Sequence, residues 1–401
     1  VFAGKKSAQI REILISESAW EEMTCLFAPS LILWNKKMTI LIQDSLRRAV
    51  EAASGGAQTV LYTSAGDPSF VNIIPKFDVS TIDASLGSGT HPAFIVNGVE
   101  VDQIFVGTYP GSIVNGQLLS LPDRAPAVSV PYNDGISLAR AAGPGWHAMT
   151  NAEWAAIALL CYSQGHSPRG NTKWGLSSDN ISEKGRRVDG LTAGTESGTG
   201  LTLTGSGPVS WRHNRDYAGI ADLAGNVWEQ VTGVRFCGGE LQIMTNNNAA
   251  MGSTDHSLSS TAWKAVSGVD GSLLTPTGTG TAGTDSWVPT TANSVRIDTS
   301  GTGDYTLIYG ENTLFTSALN PGATPVSEAA LRVLRRLMLF PLAGLISDDS
   351  LSYKAGGEVM TLRGGAYTNG AGGGINALLA NRGRTSAGQA NSGVRPVYYK
   401  P

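Results

Sequence analysis

Glycine is the residue that most limits the architecture. It fills 50 of 401 positions, while Asp, Glu, Lys and Arg together make up only 15%. Glycine reaches positive φ freely but weakens helix and strand interiors, so a loop-rich chain with many tight turns is expected, not a helical bundle or a parallel α/β enzyme. A hydrophobic fraction of 41% still suffices for a core, and the length admits one large or two ordinary domains. A run crowded with Gly, Ala, Asn, Ser and Thr, Leu362 to Tyr399, has the composition of a disordered tail. Yet it is bracketed by Arg363-Gly364-Gly365 and Gly393-Val394-Arg395.

A net charge of −3 offers no basic face for phosphates, so nucleic acid is not an expected partner. Cys25, Cys161 and Cys237 have no C-x-x-C spacing, and an odd number of cysteines argues against a disulfide framework or zinc cluster. Cys161 is expected to pack as a small apolar residue. No secretory signal is recognised, and "CLFAPSLILW" is too short to span a bilayer.

Residues 1–37 read as an upstream extension. Residues 38–90 read as an N-terminal helix, from Met38 to Gly55, followed by a β-rich segment. From Val60 to Val114, short β-rich runs are punctuated by Gly-Asp-Pro, Gly-Ser-Gly and Asn-Gly, the pattern of hairpins. Thr150 and Glu153 form a capping box that opens a helix whose Trp154, Ile157, Ala158 and Cys161 share one apolar face. Ser327 caps a second helix, which Pro341 stops, with Arg332, Arg335 and Arg336 expected on a solvated face. An insertion of irregular structure is expected at about residues 236–350, anchored by Trp263, Trp287 and Tyr305.

Four segments then carry a resemblance: "PAVSVPYNDGISLARAAGPGWHAMTNAEWAAIAL" (126–159), "YAGIADLAGNVWEQ" (217–230), "LRGGAY" (362–367) and "SGVRP" (392–396). In this order they resemble the family of formylglycine-generating enzymes (sulfatase-modifying-factor-like proteins) and the variable proteins of diversity-generating retroelements. That resemblance implies an α+β fold of the C-type lectin-like kind, loop-rich with long insertions, over residues 91–401. The residues alone give each motif a structural role. Gly225 and Asn226 suit a tight turn, Val227 and Trp228 enter the interior, and Glu229 is free to hold backbone donors or an arginine. Gly364 and Gly365 suit a bulge or close backbone approach. Val394 faces inward, and Arg395 is paired with an acid such as Glu229.

The enzymes of this family use two C-terminal cysteines to bind copper, and here none follows Cys237, so that activity is expected to be absent. His91, His147, His166, His213 and His256 do not form the H-x-x-x-H-x-E pattern of related iron enzymes, and no G-x-S-x-G elbow or P-loop replaces them. No catalytic residue, metal or cofactor is therefore assigned, and a clustered calcium ligand set is not seen near the C-terminal end.

The resemblance then points to the retroelement-diversified branch, in which adenine-directed mutagenesis rewrites the segment from R-G-G to G-[FV]-R. Asparagine codons rewritten this way cannot yield Lys, Glu, Met, Gln or Trp; between Arg363 and Pro396 only Gln389 departs from that rule. The implied scaffold is Trp154, Gly225, Asn226, Trp228, Glu229, Arg363, Gly364, Gly365, Gly393 and Arg395. The implied displayed set within 363–396 is Tyr367, Thr368, Asn369, Gly372, Asn376, Leu379, Asn381, Arg382, Arg384, Ser386, Gln389 and Asn391. The chain departs from the family in carrying Tyr367 where Trp is usual, Asn376 where an aromatic is usual, and "ALLA" for A-L-x-L.

The expected function is binding of a cell-surface protein or glycan through this variable face, as a phage or prophage tail receptor-binding or surface-display protein. Tyr367, Arg382 and Arg384 are its anchors, and the N-terminal region is available for homo-oligomerisation. Alternatives from other classes are a degenerate formylglycine-generating-type oxidase and a purely structural virion protein.

Overall fold

The computed structural model describes residues 44–384 and 390–401. Apart from Asp44 and Ser45, these all belong to one unit, Leu46–Pro401. Along the chain, helix α1 (Ser45–Ala53) leads into strands β1 (Gln58–Tyr62), β2 (Pro68–Pro75) and β3 (Gln103–Gly107). The small hairpins Ile95–Val96/Val99–Glu100 and Gly111–Val114/Gln117–Ser120 flank β3. Helix α2 (Tyr132–Arg140), strand β4 (Trp146–Ala148) and helix α3 (Asn151–Ser163) follow, then β5 (Trp228–Cys237), β6 (Glu240–Met244), β7 (Trp263–Val266) and β8 (Leu273–Leu274). The chain continues through β9 (Arg296–Asp298), β10 (Thr306–Ile308), β11 (Thr313–Leu314), helix α4 (Glu328–Arg336) and β12 (Ser350–Tyr353). It closes with β13 (Glu358–Arg363), β14 (Leu378–Arg382), β15 (Ser392–Val394) and β16 (Pro396–Tyr398). The fold is mixed α+β with antiparallel sheets, four α-helices among the described residues and much loop.

The β1–β2 hairpin is present as expected, and β2 pairs antiparallel with β3. This sheet runs β1-β2-β3-β16-β4, so the C-terminal strand lies between elements drawn from residues 58–148. Residues on either side of position 90 therefore share one sheet and one unit, and no boundary falls there. Residues 1–37 lie outside the described residues.

Thr150 starts α3 as its spacing predicts. Its hydroxyl accepts from Glu153 N at 3.1 Å, and its own N–H donates to Glu153 Oε2 at 2.9 Å. The helix departs from a one-faced pattern, because every residue from Asn151 to Leu159 is buried. The small side chains of Ala152, Ala155, Ala156 and Ala158 let neighbours approach on all sides. Trp154, Ile157 and Leu159 share the largest core cluster with Val234 and Phe236 of β5, Leu334 of α4 and Leu378 of β14.

The expected irregular insertion is the main correction. Six strands of residues 236–350, β6 to β11, join the larger sheet, whose principal order is β8-β7-β6-β5-β13-β14-β12-β11, and β9 pairs with β6 and β10. These strands are 2–5 residues long, too short for alternation to be visible in sequence. Of the expected anchors, Trp263 is buried beneath Arg235, whose guanidinium lies 4.4 Å from the ring. Tyr305 covers Gly268, where a Cβ would meet its ring at 2.5 Å.

Helix α4 begins at Ser327, whose side chain accepts from Ala330 N at 3.2 Å. Its arginines do more than face solvent. Arg336 donates to Leu86 O at 2.8 Å and Ser88 O at 3.0 Å, Arg335 pairs with Glu328, and the Arg332 stem covers Gly87. Arg332 and Arg336 fasten the helix to the 84–88 turn.

Candidate binding face

Two arginines fix the ends of the glycine-rich segment. Arg363, fully buried at the end of β13, donates from Nε and Nη2 to Asn151 Oδ1 at 3.0 and 2.8 Å, and from Nη2 to Met338 O at 2.8 Å. Burial pushes its pKa down to about 9. Gly364 and Gly365 follow with φ of 89° and 84°. A Cβ there would stand 2.8 Å from Leu223 O and 2.6 Å from Gly373 Cα, so the expected close backbone approach is real.

Arg395, equally buried, meets Glu229 as its residue type invites. Nε lies 2.8 Å from Oε2, and Nη2 contacts Oε1 in a two-pronged pair. The remaining donors reach Gly107 O at 2.9 Å and Ala221 O at 3.0 Å. Burial pushes the Glu229 carboxyl up, against the opposing pull of Arg395. Glu229 is brought there by Gly225 and Asn226, both at positive φ, which turn the chain so that Val227 and Trp228 enter the interior. Gly393 pairs beside Glu229 in the parallel β15–β5 ladder, and a Cβ on it would stand 2.6 Å from Ala127 O.

β13, which ends at Arg363, alternates. Val359 belongs to the main core and Arg363 reaches α3, while Glu358, Met360 and Leu362 point to the opposite face. There, Trp228, Leu362, Ala366, Ala377 and Leu379 make a small buried cluster. Beside it, Tyr132, Gln230, Met360, Leu362, Arg382 and Ser392 line a hollow of about 20 Å³, room for little more than one water. Arg382 contacts Ser392 Oγ.

Farther along, Glu358 receives two arginines. Arg384 donates to Oε2 and Oε1, each at 2.8 Å, and Arg235 donates to Oε1 at 2.7 Å. Burial alone would raise the Glu358 pKa; Arg384 and Arg235 outweigh it and hold the carboxyl below its ordinary value. Arg384 also donates to Asn133 Oδ1 at 3.0 Å and lies 5.1 Å over the Tyr132 ring.

The expected displayed set divides. Thr368 and Asn381 are exposed; Tyr367, Asn369, Gly372, Arg382 and Asn391 are partly exposed. Tyr367 stands edge-on to Trp174 with ring centroids 5.0 Å apart, and Asn369 Oδ1 closes its turn by accepting from Ala366 N at 2.8 Å. Three members need correction. Asn376 is buried, tied to Ser347 O at 3.2 Å and, through its N–H, to Asp349 Oδ2 at 2.7 Å. Leu379 is buried because it pairs opposite Leu362 inside the small cluster. Arg384 spends its donors on Glu358 and Asn133, with 9% of its side chain exposed. Ser386 and Gln389 lie outside the described residues.

The sequence reading missed Tyr132, Trp174, Arg235 and Glu358. Glu-Val-Met-Thr-Leu-Arg does alternate, and that signal alone assigns Glu358 to the face of Met360 and Leu362. Nothing in sequence pairs Trp174 with Tyr367 across 193 positions.

Cys161 and Cys237 are free and buried, and burial pushes both thiols up, Cys161 to about 12. Among the described residues no three His, Cys, Asp or Glu side chains form a cluster able to hold a metal. Likewise, no helix among them is long and apolar enough to cross a membrane. No protein-family model matches the sequence, and no curated protein matches it either.

Proposed function

We propose that the chain is a binding protein which presents the surface between Tyr367 and Asn391 to a cell-surface protein or glycan, as the receptor-binding or display component of a phage-type particle. One observation carries this reading. Arg363 and Arg395 lock both ends of the segment into the interior, while Tyr367, Thr368, Asn381, Arg382 and Asn391 between them keep solvent-facing atoms. A surface held this way loses little ordering entropy on binding, and its side chains can change without disturbing the anchors. The 20 Å³ hollow is too small for a drug-sized ligand, which favours a macromolecular surface as partner. The C-type lectin-like fold and retroelement diversification, read from the four motifs, are part of this proposal. The buried positions of Trp228, Arg363 and Arg395 accord with their scaffold role.

Thiol oxidation is disfavoured as the alternative, because a buried thiol raised to about 12 is a poor nucleophile and metal ligand. Sequencing the coding segment for residues 363–396 and its flanks in independent isolates tests the proposal. Diversification predicts a neighbouring near-copy of the segment, with substitutions at adenines concentrated in the codons of Tyr367, Thr368, Asn381, Arg382 and Asn391. Substitutions spread evenly through 217–396, with no near-copy, would overturn it.

A further inference from the structure

The loop that precedes β12 and the 368–376 loop of the C-terminal face meet at one carboxyl group. Asp349 Oδ2 accepts from Asn376 N at 2.7 Å and from Ser347 Oγ at 3.0 Å. The Asn376 side chain reaches back, donating from Nδ2 to Ser347 O at 3.2 Å and Ser347 Oγ at 3.1 Å. Gly374 lies against the same carboxyl, where a Cβ would stand 2.2 Å from Oδ1. From this arrangement we propose that Asp349 is a proton-operated latch, which holds the 368–376 loop closed when protonated and loosens it when ionised. That this loop belongs to a binding face rests on the proposed function.

The carboxyl is enclosed without a counter-charge. It is 3% exposed, and no cation forms an ion pair with it among the described residues. Both of its hydrogen bonds come from neutral donors, and the charges that act on it, Asp179 and Asp348, are acidic and oppose a further negative charge. The 315–317 turn, whose Phe315 N donates to Asp349 O at 2.7 Å, adds no titratable group. His166 and Tyr162 line a small hollow with Asn376. Arg215 Nε donates to His166 Nδ1 at 2.8 Å, so that nitrogen carries no proton and the ring is neutral. Tyr162 spends its hydroxyl on Asp83 and Ala343 O, and burial raises its pKa, so it too stays neutral. An ionised Asp349 would therefore be a buried charge without a partner, which is relieved by keeping the proton or by reaching water. Burial accordingly raises its pKa from 3.8 to about 6.

Other ties hold the neighbouring chain whatever the state of that proton. Gly370 N donates to Thr172 O at 3.0 Å, and Trp154 Nε1 donates to Ile375 O at 2.8 Å. They confine the opening to the loop and leave β14 in place. A carboxyl raised in the closed form favours closure fully below its open-state pKa, and that contribution is lost as pH rises through the closed-state value. The part of the face that carries Thr368, Asn369 and Gly372 is thus firm at acidic pH and looser at neutral pH.

Amide hydrogen exchange of the full chain, read by mass spectrometry on peptides covering residues 368–377 and corrected for the intrinsic pH dependence of exchange, tests the latch. Protection of the loop should fall about tenfold between pH 5 and pH 7.5 in the wild type, given a pKa of 3.8 when open and about 6 when closed. Asp349→Asn, whose neutral amide still accepts from Asn376 N, should abolish that fall. At both pH values the loop should exchange faster than α3, because it opens without global unfolding. Asp348→Asn removes an acidic neighbour at an exposed position and should move the fall to lower pH, which supplies the comparison if Asp349→Asn does not fold. The same pH dependence in the wild type and the folded variant, or loop protection equal to that of α3, would overturn the latch. Neither result bears on which codons vary among isolates, so the proposed function is tested separately.

Discussion

Glu229 and Arg395, separated by 166 positions in sequence, meet in the interior as a two-pronged ion pair at 2.8 Å, with both side chains almost wholly shielded from solvent. The pair joins β5 to the residue linking β15 and β16, and so ties the two sheets together at the end of the glycine-rich segment.

Removing one partner leaves a charge buried without compensation, at a cost of about 3–5 kcal/mol. Glu229→Gln and Arg395→Met should each lower stability in urea unfolding by that order. The double variant should fall well short of the sum, because neither residue then strands the other. Strict additivity would show that the two are not coupled.

Glu358 serves Arg235 and Arg384 at once, and the three residues should rank accordingly. Glu358→Gln strands two guanidiniums and should cost about 3 kcal/mol or more. Arg384→Ala leaves Glu358 with Arg235 and should cost about 1–3 kcal/mol, the range of a charged hydrogen bond. Arg382→Ala, on the partly exposed end of β14, should cost less than either. Chemical denaturation of the three variants gives the order, and an Arg382 effect as large as that of Glu358 would contradict the division between scaffold and face.

Asp349, beneath Asn376, is raised by burial from 3.8 to about 6. A carboxyl raised on folding contributes stability that is fully present below its unfolded pKa and is lost as pH rises through the folded one. Between pH 4 and pH 7 the wild type should therefore lose about 2 kcal/mol relative to Asp349→Asn. The comparison isolates this group from His91, His213 and His256, which burial lowers to about 4 and which act in the opposite direction over the same window. Parallel stability curves for the two proteins would rule out the shift.

Cys161 and Cys237 should resist a thiol reagent at pH 8 in the folded protein and react on unfolding, measured in a Cys25→Ser background. Rapid native labelling of either would reopen a thiol-based activity.

What could be read from sequence follows the range of the interactions. The capping box of α3 and the turn at Gly225-Asn226 depend on residues a few positions apart, and their side-chain chemistry is explicit. The Glu229–Arg395 pair was legible because two charged residues sit in motifs otherwise built for burial. The strands between Cys237 and Ser350 were not legible, since pieces of two to five residues take their shape from neighbours far along the chain. The displayed set was legible only in part. Leu379 and Asn376 sit among small residues like the exposed positions around them, and their burial follows from the β13–β14 register and from the Ser347–Asp349 loop.

The central claim is that rigid anchors carry a face free to vary. It is tested most directly by randomising Tyr367, Thr368, Asn381, Arg382 and Asn391 in one surface-displayed library and Glu229, Arg363, Asn376, Leu379 and Arg395 in another, with protease resistance as the measure of folding. Most members of the first library should remain folded, and few of the second. Equal loss of protease resistance in the two would contradict the account.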